Sequence, residues 1–181
     1  MIEIQMTMCI KHDNLLYMTI FVGADHRGFD LKNSLIEYLH EKNIRIEDLG
    51  NYQLEPEDDY PNYAKKVAQA VLQKPNEFLG IVICGSGVGV CIAVNRFKGI
   101  RCGLGFEADQ VKHIRENDHV NILALAADYL KPTSAEASAG RSENNGPGLE
   151  KAKELVDIFI SAKPKDQTKY LRRIKKLDEM V

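Results

Sequence analysis

The stretch Leu79-Gly-Ile-Val-Ile-Cys84-Gly-Ser-Gly-Val-Gly89-Val-Cys-Ile-Ala-Val94 decides the fold. Ile81, Val82 and Ile83 form an unbroken apolar run, the pattern of a strand covered on both faces in a parallel sheet. Gly85, Ser86, Gly87, Val88 and Gly89 follow at once, and glycines there allow a sharp turn and a close approach of backbone to ligand. The segment from Val90 to Val94 then reads as a helix. Its free N–H groups point toward whatever lies above the loop and favour an anion or oxyanion. Cys84 therefore stands at a strand end beside a nest of backbone donors, where open α/β sheets carry their chemistry.

Working outward, strands and helices alternate. Thr19 to Gly23 reads as a first strand closing on Ala24-Asp25-His26-Arg27-Gly28. Leu31, Leu35, Tyr38 and Leu39 have helical spacing, and Ile44 to Leu49 is a second strand. An acidic loop, 50–59, leads through Asp58-Asp59-Tyr60-Pro61 into a helix carrying Tyr63, Ala64, Val67, Ala68 and Val71. Beyond the organising stretch come a strand from Ile100 to Gly105, a helix from Glu107 to Glu116 and a strand from Asn121 to Ala126. This order predicts an α/β, Rossmann-like three-layer sandwich with a central parallel sheet and C-terminal helices. Residues 1–17 lack periodicity and are expected to be a disordered N-terminal extension. Residues 18–181 are expected to be one domain. Within it, 131–148 is rich in Ser, Ala, Asn, Gly and Pro and reads as an inserted surface loop, and 149–181 as the C-terminal helices.

The chain has 181 residues, 44% apolar and 28% charged, with a net charge of −2, which gives no electrostatic reason for nucleic-acid binding. No apolar run is long enough to cross a bilayer, and no signal peptide is recognisable. The four cysteines form no CxxC pair, so reduced thiols in a cytoplasmic protein are expected. Cys91 and Cys102 lie in apolar segments and read as packing residues. Cys84 differs, because a thiolate at a helix N-terminus is stabilised by the same donors that hold an anion.

The glycine loop is neither a Walker loop, lacking Gly-Lys-Ser/Thr, nor a dinucleotide fingerprint, because Val90 stands where GxGxxG needs glycine. Glu107, at a strand end 18 residues after Gly89, is the one feature favouring a nucleotide-binding reading. First and third strands of such sheets commonly lie side by side, which would put His26 and Cys84 on one crevice. On the last helix Lys169 and Arg173 lie four apart, a spacing that suits a phosphate clamp.

Val22-Gly-Ala-Asp-His-Arg-Gly-Phe29, Asp59-Tyr-Pro-Asn-Tyr63, Ile83-Cys-Gly-Ser-Gly-Val-Gly89 and Asn95-Arg-Phe-Lys-Gly-Ile-Arg101 together resemble the ribose-5-phosphate isomerase B family, which includes galactose-6-phosphate isomerase subunits. The resemblance is strong over 18–130 and looser over 149–178. It implies a dimer, or a dimer of dimers, with sites at the subunit interface. It also implies no metal or other cofactor, a sugar phosphate as ligand, and aldose–ketose interconversion through a cis-enediol. Carried over, Cys84 is the base between C1 and C2, and Ser86 shuttles the hydroxyl proton. The backbone of Gly85, Gly87, Val88 and Gly89 holds the enediolate oxygen. Asp25 and Tyr60 bind sugar hydroxyls, and His26, Lys169 and Arg173 face the phosphate. Asn117 and Asp118 fall at substrate-binding positions. Asn117 stands where the family carries a ring-opening histidine, with His119 two residues on, and Lys169-Tyr170 replaces an Arg-His pair. These departures leave three readings: an isomerase of ribose 5-phosphate, an isomerase of another aldose phosphate, or a catalytically weak binding relative or partner subunit.

Overall fold

A computed structural model describes residues 18–130 and 148–180, so the N-terminal extension and the inserted loop, save Gly148, lie outside the described residues. Five strands form one sheet: β1 (Thr19–Ala24), β2 (Arg45–Asp48), β3 (Leu79–Cys84), β4 (Cys102–Leu104) and β5 (Ile122–Ala126). The helices are α1 (Phe29–Glu41), α2 (Tyr60–Val71), α3 (Val88–Val94), α4 (Ala108–Asn117), α5 (Leu149–Ser161) and α6 (Thr168–Asp178). All four strand pairings are parallel, in the order β2-β1-β3-β5-β4. The predicted three-layer α/β sandwich is the observed architecture, and β1 does lie beside β3.

Alternation along the buried strands builds two cores. Ile81 and Ile83 of β3, with Ile20 and Val22 of β1 and Leu123 and Leu125 of β5, face α1, α4 and α5. Val82 and Cys84, with Phe21, Ile122 and Ala124, face α2 and α3. Every residue of β1, β3 and β5 is buried, whereas β2 at the edge alternates between exposed and half-buried. That is the unbroken apolar signature of a sheet covered on both sides.

Val67 of α2 fixes how closely the second layer sits. A Cβ added at Gly23 would fall 2.9 Å from Val67 Cγ2, and one at Gly80 would fall 2.8 Å from Val67 Cγ1. The valine thus wedges between two glycines on neighbouring strands. This close approach carries Tyr60, the first residue of α2, to the C-terminal rim of the sheet.

β2 is shorter than the segment Ile44 to Leu49, and β4 shorter than Ile100 to Gly105. Among the described residues both are edge strands, paired on one side only, so their ends find no ladder to join.

Candidate active site

The chain reverses direction across the sheet between β1 and β3, and the crevice above their carboxyl ends is the expected ligand position. A cavity of about 320 Å³ lies there, bounded by Asp25, Tyr60, Cys84, Gly85, Ser86 and Gly89. Arg27, Asp128 and Tyr129 complete its wall. That volume lies in the range of small-molecule sites.

Cys84 ends β3 and is 4% exposed. The amide of Gly87 donates to its Sγ at 3.1 Å. Gly87 adopts φ +71°, which turns the chain tightly enough to aim this amide back at the thiol. Ser86 is exposed, and its Oγ accepts the Val88 amide at 3.3 Å, leaving the hydroxyl proton free to donate. The Tyr60 ring lies on the first turn of α3, where a Cβ on Gly89 would meet it at 2.9 Å.

The end of β1 is equally ordered. Asp25 is 6% exposed, and its Oδ1 accepts the amides of Arg27 and Gly28 at 3.0 and 3.1 Å. Burial raises its carboxyl above the usual value, the two amide bonds and the neighbouring His26 only partly opposing it. His26 is held twice by Asp58, whose Oδ1 accepts its backbone amide at 3.0 Å and contacts its Nδ1 at 2.8 Å. Asp58 is steadied in turn by Asn51 Nδ2 at 2.8 Å. The acidic loop therefore orients the histidine, a role that no local sequence signal announced.

A match to the ribose/galactose isomerase family spans residues 20–177. The chain belongs to that family. It is 35% identical over 143 residues to ribose-5-phosphate isomerase B of Escherichia coli, covering 79% of this chain and 83% of that protein. It is 41% identical over 113 residues to a probable ribose-5-phosphate isomerase B of Mycoplasma pneumoniae, covering 62% and 74%. Its fold matches the crystal structure of ribose-5-phosphate isomerase B from Mycoplasma genitalium with bound ribulose-5-phosphate, with a TM-score of 0.78 and 30% identity. That match covers 91% of this chain and 97% of the other.

The remaining residues singled out in the sequence lie at the other end of the sheet. β5 runs from Ile122 to Ala126, and Ala126 is level with Cys84. Four strand steps, about 13 Å, therefore separate the start of β5 from the thiol. Asn117 and Asp118 precede that start. Asn117 is buried, its Nδ2 lies 3.0 Å from His113 Nδ1, and its Oδ1 has no partner. His119 Nε2 donates to the Lys165 carbonyl at 3.1 Å, which ties the chain entering α6 to this same end. Lys169 and Arg173 on α6 are exposed. One copy of the chain thus brings Asp25 and Tyr60 to the cavity of Cys84, with His26 next to Asp25 and held by Asp58, but not Asn117, Asp118, Lys169 or Arg173.

Glu107 caps the start of α4, three residues beyond the edge strand β4, with β5 between that strand and β3, and pairs with Lys151 at 3.1 Å. It is not placed to read a ribose held at the glycine loop. Cys91 packs against the second core, half-buried on α3. A hydrogen bond with Cys102 pulls its thiol down to about 7 against the effect of burial, with Asn95 helping. Among the described residues no three of His, Cys, Asp or Glu cluster so as to hold a metal ion. No helix there is long and apolar enough to cross a membrane.

Proposed function

We propose that this aldose–ketose isomerase interconverts ribose 5-phosphate and ribulose 5-phosphate, with Cys84 as the base and two subunits sharing each site. The bond from the Gly87 amide to Cys84 Sγ, inside a cavity that also presents Ser86 and Asp25, carries the reading. The sulfur, as thiolate, removes the proton from C2 of the open-chain aldose, and the electron pair moves to C1–C2 as the carbonyl oxygen becomes an enediolate. Backbone amides from Gly85 to Gly89 face that oxygen in the manner of an oxyanion hole. Ser86 passes a proton between the two substrate oxygens, and the Cys84 thiol returns its proton to C1, leaving the carbonyl at C2. Asp25 and Tyr60 hold hydroxyls, and His26, fixed by Asp58, meets the phosphate.

The second half of the site comes from another copy. Val88 and Ile92 on α3, with Phe106 and Tyr129, leave apolar side chains 47–77% exposed at and beside the cavity rim. Such a patch favours burial against a partner, and a two-fold contact there presents Lys169 and Arg173 of the partner subunit to the substrate phosphate. The reading is of a cytoplasmic homodimer. A binding subunit of low activity is the rival, favoured by the inward-facing, hydrogen-bonded Asn117.

Proton NMR in deuterated water separates them. Wild-type protein is expected to convert ribose 5-phosphate and exchange the C2 proton, and Cys84→Ala to lower both about a thousandfold, the span of a positioned acid–base group. Binding of the sugar phosphate without exchange would favour the rival. Exchange with only a four- or six-carbon aldose phosphate would move the substrate and keep the chemistry.

A further inference from the structure

Arg27 and Asp128 lie 101 residues apart in sequence and meet above the central strand. Arg27 Nε and Nη2 donate to Asp128 Oδ2 at 2.8 and 2.6 Å. The pair is anchored from below on both sides. The Arg27 amide is held by Asp25, and the Asp128 amide donates to the Gly85 carbonyl at 3.0 Å. The two side chains lie directly on Gly85, where an added Cβ would come within 2.5 Å of Arg27 Nε and 2.6 Å of Asp128 Oδ2. The bare Gly85 backbone thus leaves the space that the ion pair occupies.

Stability does not account for this arrangement. The side chains are 56% and 35% exposed, and ion pairs in such surroundings contribute little to folding. What the pairing does is hold two polar edges still at the wall of the cavity. Among the described residues only Oδ2 of Asp128 is engaged, which leaves Oδ1 as an acceptor and Arg27 Nη1 as a donor for a ligand. An acceptor and a donor side by side suit adjacent hydroxyls, one donating and the next accepting. The guanidinium also offsets the carboxylate charge, which would otherwise oppose an anionic sugar phosphate.

We infer that Arg27 and Asp128 form a clamp for neighbouring hydroxyls of the sugar chain and so help set which polyol phosphates the site accepts. This rests on the sugar-phosphate reading above. Pentitol 5-phosphates, which lack a carbonyl and do not turn over, serve as probes, together with their 2-, 3- and 4-deoxy forms, titrated by calorimetry. Asp128→Ala is expected to weaken binding of the full pentitol phosphate about tenfold or more, the loss of one charge-assisted hydrogen bond. At least one deoxy form should bind wild type and variant alike, because the hydroxyl read by the clamp is already missing. Arg27→Lys keeps the charge but loses the fork, and is expected to become insensitive to the same deoxy form; it also serves if Asp128→Ala folds poorly. An equal loss for every probe, or no loss, in a wild type that turns over ribose 5-phosphate overturns the clamp alone. A wild type that neither turns over ribose 5-phosphate nor binds any pentitol phosphate overturns the isomerase reading, and the clamp with it.

Discussion

Asp25 keeps a carboxyl group almost wholly out of water at the edge of the cavity, and burial holds its pKa above the ordinary 3.8. The folded chain therefore binds this proton more tightly than the unfolded chain does. Below about pH 3.8 the group is protonated in both states and costs nothing; as pH rises through the raised value the folded state bears a charge it disfavours, and stability falls. Asp25→Asn keeps an oxygen for the Arg27 and Gly28 amides while removing that charge. The variant is expected to melt above wild type at pH 7, with the gap closing as pH is lowered past 4, and to bind sugar phosphate more weakly. A constant gap across pH, or a lower melting temperature at pH 7, would contradict this account. The strain belongs to the site and not to the core, as in other proteins that give up stability for a poised group.

At the level of elements, the Val67 wedge sets the distance between α2 and the sheet. Gly23→Ala puts a methyl group 2.9 Å from the Val67 side chain, and overpacking of that kind costs about 1–3 kcal/mol. Urea denaturation is expected to show that loss, and Val67→Ala to recover part of it in the double variant because the two side chains touch. Strict additivity would mean that the helix moves freely instead. The helical spacing of Ala64, Val67, Ala68 and Val71 was legible along the chain, as were the strand ending in Cys84 and the glycine nest. The order of the strands was not. Nothing local in Cys102–Leu104 or Ile122–Ala126 records that β5 inserts between β3 and β4, because that order is decided by which edges pair and not by either segment's own pattern. Likewise nothing local to Arg27 announced its ion pair, since Asp128 is brought near only by the folded sheet.

For the whole molecule, the decisive geometry is that Cys84 and α6 occupy opposite ends. α6 is attached lightly, burying Ile174 while Leu171 and Leu177 remain 45% and 48% exposed. An Arg101–Asp178 contact at 3.4 Å is among its few tethers. If the partner's α6 completes each site, Cys84→Ala and Arg173→Ala fall in the same site of a mixed dimer and leave the other site whole. Equal mixing with subunit exchange is then expected to restore about a quarter of wild-type turnover, because half the reassorted two-fold dimers are hybrids with one intact site of two. Turnover equal to the mean of the separate variants would place Arg173 and Cys84 in the same subunit's site or remove Arg173 from the site.

The wedge at Val67 also constrains the paths by which this chain can change over generations. Positions 23, 67 and 80 share one volume on two strands and a helix, so they behave as a single heritable unit. A lineage can trade Gly23 for alanine readily only after position 67 has shrunk, whereas the reverse order passes through a weakened intermediate. Because α2 also delivers Tyr60, such a detour is felt by selection at the cavity, well away from the site of the substitution.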